Sequence, residues 1–134
     1  MCKATDCNFF GADARFEHIA IAVRSIDDFP GNLKKIADPV NKVNVAFANI
    51  NGVKTELVEP LDDTSPVIEV LARRQALYHV CFSVTNVQKS IKTARKYGFH
   101  VITKPVPAIA FDKRNIIWLF SKMLGLVELV ERAT

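Results

Sequence analysis

The sequence is poor in cysteine and contains no long apolar run. Its three cysteines, Cys2, Cys7 and Cys81, are odd in number and form no Cys-x-x-Cys pair. This argues against a disulfide framework and indicates a reducing, cytoplasmic setting. No apolar stretch reaches the roughly 20 residues of a membrane-spanning helix, and residues 1–15 lack the basic start and apolar core of a signal peptide. We therefore expect a cytoplasmic protein that does not associate with membranes.

Aromatic residues are also few, at 9% of 134 residues, and they are not interleaved with the basic ones. The basic residues within 89–96 follow a helical spacing opposite an apolar stripe, which is typical of a solvated helix face. The net charge of +4 permits an anionic ligand. Without interleaved aromatics it does not indicate a nucleic-acid surface, so we expect no nucleic-acid partner.

One four-residue segment, Glu-Leu-Val-Glu, occurs twice in the sequence, at 56–59 and at 128–131. Each copy follows an alternating segment typical of a strand, at 16–23 and at 77–84, and each of these segments contains one histidine. An internal repeat of this kind predicts two copies of one module that pack with matching strands facing each other. The repeat gives two His/Glu pairs, which are His18 with Glu56 and His79 with Glu128.

The residues that share a strand face with each histidine are small, whereas the opposite faces are large and apolar. A strand with this pattern packs its apolar face against helices and lines a cavity with the other face. The small residues that we expect to line the cavity beside the histidines are Ala20, Cys81 and Ser83.

The two repeated glutamates lie within apolar strands, where a carboxylate needs a partner charge or a metal ion. Taken singly, each histidine or glutamate is more often a structural group, and His100, which has no repeat partner, stays in that class. Two imidazoles and two carboxylates at matching repeat positions instead favour one divalent metal site, which Co²⁺, Ni²⁺, Mn²⁺ or Zn²⁺ would suit. The predicted ligands are His18, Glu56, His79 and Glu128.

The rest of the pattern gives the element order β-α-β-β twice, with one further strand in the second copy. A capping box at Ser25 predicts a helix to about Ala37, and Asn51-Gly52 predicts a type I′ hairpin. The interval from histidine to glutamate is shorter in the first copy, so we expect a shortened first module without a counterpart of the predicted strand 99–103. The predicted segments are an N-terminal arm at 1–15 and a single domain at 16–134, with module one at 16–61, a connector helix at 62–75 and module two at 76–134.

Several segments resemble the vicinal-oxygen-chelate superfamily, also called the glyoxalase/bleomycin-resistance superfamily, and within it the methylmalonyl-CoA epimerases most. The resemblance spans nearly the whole chain from residue 16. The matching stretches are His-Ile-Ala-Ile-Ala-Val at 18–23, Glu-Leu-Val-Glu-Pro-Leu at 56–61 with Ser65-Pro66, Tyr-His-Val-Cys-Phe at 78–82, and Gly-Leu-Val-Glu-Leu at 125–129.

This resemblance implies an α+β fold in which two glyoxalase-like βαβββ modules form a curved mixed sheet around a cavity. It places His18, His79 and Glu128 on the metal ligands of the family, with Glu56 where epimerases commonly have Gln or Glu. It also implies a small carbonyl compound or an acyl-CoA as the ligand, and a homodimer as the assembly.

The implied chemistry is metal-dependent removal of the proton next to a thioester carbonyl, with Glu128 as the base. Some epimerases have a catalytic glutamate on the strand before the Asn-Gly hairpin, where this chain has Asn44, and we place Asn44 in the substrate pocket. Two alternatives stay open. One is a lactoylglutathione-lyase-like enzyme, which uses the same His-Glu-His-Glu set, and the other is a non-catalytic small-molecule-binding protein of the same superfamily.

Overall fold

The computed structural model describes residues 3–133, so Met1, Cys2 and Thr134, with what the sequence predicted for them, lie outside the described residues. Within residues 3–133, nine strands form one mixed sheet, accompanied by two short α-helices. The expected α+β fold class is confirmed. The strands are β1 (Arg15–Ala22), β2 (Ile36–Asp38), β3 (Val43–Ile50), β4 (Val53–Pro60), β5 (Leu77–Val84), β6 (His100–Val101), β7 (Val106–Ala108), β8 (Arg114–Ser121) and β9 (Gly125–Glu131), and the helices are α1 (Val67–Ala72) and α2 (Val87–Lys96).

The sheet is built from two modules joined through their first strands. β1 pairs in parallel with β4, β5 pairs in parallel with β9, and β1 and β5 lie antiparallel between them. The strand order is β2-β3-β4-β1-β5-β9-β8-β6, with β7 beside β8, and the curved sheet does not close. The two strands that carry the repeated histidines therefore lie side by side at its centre.

One face of the sheet packs against α2, and the opposite face encloses a cavity. α2 buries Ile91 in a cluster with Leu119 of β8 and Leu129 of β9. The side chain of Asn86 begins this helix by accepting a hydrogen bond from the backbone N–H of Lys89 at 3.0 Å. In residues 3–133, no helix is long and apolar enough to cross a membrane.

The first module is shortened: it lacks a counterpart of β6, as the sequence predicted, and it also lacks most of a counterpart of α2, which the sequence did not predict. In place of the helix expected over 25–37, the structure has one 3₁₀ turn at Ile26–Asp28 followed by β2. The helix is interrupted because Pro30 cannot donate a backbone hydrogen bond and Gly31 has a φ of 94°. The shortening removes most of the counterpart of α2 and that of β6, whereas β2 pairs with β3 as β7 pairs with β8.

The hairpins follow the prediction. β3 and β4 are joined by Asn51 and Gly52, whose φ values of 48° and 86° are the positive values that a type I′ turn requires. β8 and β9 form the last hairpin. The strand predicted over 99–103 is reduced to the two residues of β6, and Pro107 lies in β7 at the margin of the sheet, where a missing N–H is tolerated.

The segment before β1 was expected from the sequence to be a loose arm; residues 3–8 are exposed, but residues 9–14 pack against the sheet. Phe10 is 4% exposed, and its ring centre lies 5.1 Å from that of Phe82 and 5.0 Å from that of Phe99. The arm gave no periodic signal because it docks through neighbouring aromatic side chains on a turn rather than through a helix or strand face.

The glutamates at the ends of β4 and β9 accept backbone hydrogen bonds at equivalent places in the two modules. Glu59 Oε1 accepts from the N–H of Ile26 at 2.7 Å, and Glu131 Oε1 accepts from the N–H of Val87 at 3.4 Å. Burial opposes the ionisation of Glu59, but the bonds from Ile26 and Asn44 outweigh it and lower its pKa. Glu59 is buried, and Glu131 is half-buried.

Candidate metal centre

The four predicted ligands come together at the centre of the sheet. The register places Ala20 of β1 opposite both Glu56 of β4 and His79 of β5, so these side chains share one face. All four predicted ligands are buried, and each offers a ligand atom within 4.8 Å of the others. The set that converges is His18, Glu56, His79 and Glu128.

A β-bulge precedes each histidine in the pairing of β1 with β5. The register shifts by one residue at Glu17 on β1 and by one at Tyr78 on β5, so each histidine follows a bulged residue. Bulges redirect side chains and are common beside functional sites. Here they turn Glu17 toward His18, and they turn Tyr78 into the cavity beside His79.

The two imidazoles face the same two carboxylates. His18 Nε2 lies 3.4 Å from Oε1 of Glu56 and 3.4 Å from Oε1 of Glu128. His79 Nε2 lies 3.5 Å and 3.3 Å from the same two atoms. These are ion-pair distances rather than well-formed hydrogen bonds, and within the described residues both Nε2 atoms and Glu128 Oε1 have no hydrogen-bond partner.

Buried polar atoms without partners are costly, and here they point at one another. A divalent ion between them would satisfy the lone pairs of two imidazole nitrogens and two carboxylate oxygens together. Nitrogen and carboxylate donors in equal number suit a borderline divalent ion. The residues present therefore fit a divalent metal ion.

Each pair of opposite charges shifts the pKa values of its members apart. Burial opposes the charged form of His18, but the carboxylates of Glu128 and Glu56 outweigh it and raise its pKa to about 10. The same competition raises the pKa of His79. Burial also opposes the ionisation of Glu128, but the two histidines outweigh it and lower its pKa to about 2. Without an ion, these shifts favour the protonated form of both imidazoles and the ionised form of Glu128.

The two histidines differ in what holds the second ring nitrogen. His18 Nδ1 lies 3.4 Å from Glu17 Oε1, and Lys54 donates a hydrogen bond to the same oxygen. His79 Nδ1 has no hydrogen-bond partner among the described residues, and its ring is held edge-on to Trp118 at 4.7 Å between ring centres. A carboxylate on the far nitrogen is the usual support of a metal-binding histidine, so only His18 has that support.

The three small residues predicted beside the histidines have different surroundings. Ala20 and Cys81 are fully buried on the face that carries the four ligands. Burial, followed by the charge of Glu128, raises the pKa of the Cys81 thiol well above its usual value, so the thiol stays neutral. Ser83 lies further along β5, where its hydroxyl accepts a hydrogen bond from Arg132 at 3.1 Å.

The structure places Asn44 on the sheet face opposite the cavity, which corrects the expectation that it lines the substrate pocket. Asn44 pairs with Glu59 in the β3–β4 register, and its Nδ2 donates to Glu59 Oε2 at 3.0 Å. Strand side chains alternate between faces, so the residues of β3 that face the cavity are its neighbours Val43 and Val45. Phe47 lies on the same face of β3 as Val43 and Val45. A carboxylate on β3 could reach the cavity only from a position on that face.

The sequence model of the glyoxalase/bleomycin resistance protein/dioxygenase superfamily matches residues 17–118. The chain belongs to this superfamily. The matched range contains the strands β1 and β5 that join the two modules and three of the four converging residues, and Glu128 follows it on β9.

Curated relatives of this superfamily member include mitochondrial methylmalonyl-CoA epimerases. The human enzyme is 30% identical over 128 residues, which cover 86% of this chain and 72% of the relative. The Dictyostelium discoideum enzyme is 26% identical over 131 residues, which cover 88% of this chain and 78% of the relative. The chain is therefore a homologue of methylmalonyl-CoA epimerases.

Solved structures of the superfamily share the fold. A hypothetical protein from Bacillus halodurans superposes with a TM-score of 0.75 at 28% identity, over 90% of this chain and 96% of that one. Methylmalonyl-CoA epimerase from Mycobacterium tuberculosis gives 0.72 at 21% identity, over 89% and 88%. The Streptomyces coelicolor epimerase in complex with 2-nitronate-propionyl-CoA gives 0.72 at 22% identity, over 90% and 98%.

The cavity of this superfamily member is also lined by residues that the sequence did not indicate, among them Asp38, Tyr78 and Trp118. Asp38 directly follows the helix that the sequence predicted to end near Ala37, and its place became visible only with the pairing of β2, a strand that the sequence did not predict. Strict alternation assigned Tyr78 to the face opposite His79, and the bulge reverses that assignment. Trp118 carried a usable signal, because the β8–β9 register places it opposite Glu128.

Proposed function

We propose that the chain is a metal-dependent epimerase-like isomerase that removes the proton next to the thioester carbonyl of an acyl-CoA such as methylmalonyl-CoA. The observation that carries this proposal is the convergence of four buried ligand groups around unsatisfied atoms. Identity of 30% to the human methylmalonyl-CoA epimerase supports the choice of reaction and of substrate class.

His18, Glu56, His79 and Glu128 would hold the ion in this proposal. When bound, a divalent ion acts as a Lewis acid that stabilises the negative charge developing on the substrate carbonyl as the α-proton leaves. The buried aromatic and aliphatic walls hold the substrate and exclude water, which strengthens each electrostatic interaction inside the cavity.

The residues of this chain supply the proton-transfer chemistry and the shape of the cavity. We assign proton abstraction to Glu128, whose carboxylate lies on the cavity floor and is ionised at neutral pH. Trp118 packs edge-on to His79, and Tyr78 lies beside the same ring at 4.9 Å between ring centres. Burial, followed by the charges of Glu128 and Glu56, raises the pKa of Tyr78 to about 12, so its phenol remains neutral and can donate a hydrogen bond.

The test is deuterium wash-in at C2 of methylmalonyl-CoA in heavy water, followed by NMR, with Co²⁺-loaded wild type and with the chelated protein. Loaded wild type should exchange the C2 proton, and chelation should abolish that exchange. His79→Gln should lose exchange with the ion, whereas the matched control His100→Gln, at an exposed site on β6, should keep both.

The same preparation is assayed with the hemithioacetal of methylglyoxal and glutathione, because lactoylglutathione lyases use a similar ligand set. Turnover of that substrate without exchange of methylmalonyl-CoA would replace this proposal with the lyase function. Binding of acyl-CoA without turnover of either substrate would replace it with a binding function.

A further inference from the structure

Epimerisation requires a second proton-exchanging group in the cavity, and the four converging residues do not supply one on the opposite side of the substrate carbon. Inverting a carbon centre requires that a proton leaves one face and that another returns on the opposite face. We assign one of these two exchanges to Glu128. The residues of β3 that face the cavity are Val43, Val45 and Phe47, which cannot exchange a proton.

The neighbouring edge strand β2 supplies a carboxylate to this cavity. Asp38 pairs with Val43 in the β2–β3 register, so both side chains project from the cavity face. Asp38 is 3% exposed and lines the same cavity as Glu128 and His79. It is not one of the four residues whose ligand atoms lie within 4.8 Å of one another, so the metal site does not use it.

Asn41 holds this carboxylate in place from the turn between β2 and β3. The backbone N–H of Asn41 donates to Asp38 Oδ1 at 3.1 Å, and its side-chain Nδ2 donates to Oδ2 at 2.8 Å. Within residues 3–133, none of the ion pairs to lysine, arginine or histidine involves Asp38. Each carboxylate oxygen can accept two hydrogen bonds, so one bond to each leaves an acceptor position free.

We infer that Asp38 is a second catalytic residue of the cavity, exchanging a proton with the substrate α-carbon on the face opposite Glu128. This assignment rests on the proposed function. In one direction the ionised Asp38 takes the proton, the C–H electron pair passes into the enolate, and Glu128, which has first taken up a proton from water, returns that proton to form the new C–H bond. In the other direction the two roles are exchanged. The product has the composition of the substrate, and the two carboxylates recover their starting protonation by exchange with water.

A purely structural aspartate would show the same turn geometry, and the chain contains such an aspartate. Asp62 accepts hydrogen bonds from the backbone N–H and the hydroxyl of Thr64, in an exposed loop. Asp62→Asn therefore makes the chemical change of Asp38→Asn in a similar turn outside the cavity. Asp38→Ser is a second variant, since a serine hydroxyl can accept the Asn41 N–H.

The experiment follows two rates for each C2 enantiomer of methylmalonyl-CoA with the Co²⁺-loaded protein in heavy water. One rate is deuterium wash-in by NMR, and the other is inversion by chiral analysis. Asp38→Asn and Asp38→Ser should slow inversion by on the order of 100-fold or more. The enantiomer whose proton faces Glu128 should still exchange, with retention of configuration. Asp62→Asn should match wild type in both rates.

Inversion within about threefold of wild type in either Asp38 variant would overturn the assignment. Equal loss of wash-in for both enantiomers would also overturn it, because a structural defect affects both faces alike. Wild type that neither exchanges nor inverts methylmalonyl-CoA would overturn the proposed function itself. The wild-type rates therefore separate failure of the proposed function from failure of the Asp38 assignment.

Discussion

Binding of a divalent ion to the metal-free protein should release protons at neutral pH, up to two per ion. In the metal-free centre the buried carboxylates favour the protonated form of both imidazoles, because the pKa values of His18 and His79 are raised and that of Glu128 is lowered. An imidazole nitrogen binds a metal only after losing its proton. A buried group of charges is costly unless it is balanced, and exchanging two protons for one divalent ion keeps the centre neutral.

The pH dependence of ion affinity follows from the same count. His18 has a pKa of about 10 in the metal-free fold, above its usual 6.5, so at pH 7 it must give up a proton to bind the ion. The proton of His18 alone should make the apparent affinity rise by about tenfold per pH unit near neutrality, and the proton of His79 should make the rise steeper. The rise of the apparent ion affinity with pH should level off as the pH approaches 10, because His18 no longer holds its proton there.

The assay is isothermal titration calorimetry of Co²⁺ or Zn²⁺ into chelator-treated protein at pH 7, in buffers that differ in ionisation enthalpy. The dependence of the observed enthalpy on that of the buffer gives the number of protons released. His79→Gln should release about one proton fewer, because glutamine carries no titrating proton, and His100→Gln should behave as wild type. Tight binding that releases no protons would refute the charge-balance reasoning, and so would an affinity independent of pH.

Three further outcomes are expected. Glu59→Ala should lower the free energy of unfolding, measured in urea, by about 1.5–3 kcal/mol, because it leaves the buried N–H of Ile26 unpaired. The control Glu69→Ala, on the exposed face of α1, should change the free energy of unfolding by less than about 0.5 kcal/mol. Asn44→Glu should destabilise the protein at pH 7, because it sets a second carboxylate beside Glu59. The variant should exchange the C2 proton of methylmalonyl-CoA no faster than wild type does. A faster exchange rate would show that this residue reaches the cavity. Light scattering at micromolar concentration should give the mass of a homodimer, because the open sheet ends in two edge strands that proteins usually cover, and a monodisperse monomer would contradict that expectation.

Most of the fold could be predicted from the internal repeat in the sequence. Alternation over 16–23 and 77–84 identified the strands of the histidines, and Asn51-Gly52 fixed a hairpin because its φ values admit few other residues. The prediction of a helix over 25–37 was wrong because a capping box indicates only the first turn of a helix. Pro30 follows that turn closely and interrupts the helix. A three-residue edge strand such as β2 has too few positions to show alternation, so only its partner β3 defines it.

The candidate centre was predictable where residues alternate strictly and unpredictable where a bulge or a one-residue shift intervenes. Repeat equivalence found all four converging residues, because matching strands meet at the centre of the sheet. Asn44 was misplaced by a single position, and in a strand one position changes the face. Tyr78 was assigned to the wrong face because a bulge has no local sequence signal here. Asp38 could be placed only once β2 was known.

The proposed function requires that the buried His/Glu centre, loaded with one divalent ion, exchanges the proton next to an acyl-CoA thioester carbonyl. The most direct test is to add Co²⁺ stepwise to chelator-treated protein and to measure deuterium wash-in at C2 of methylmalonyl-CoA after each addition. The rate should rise linearly and reach a plateau at one ion per chain. Exchange at full rate without the ion, or no exchange with one ion bound per chain, would rule out this function.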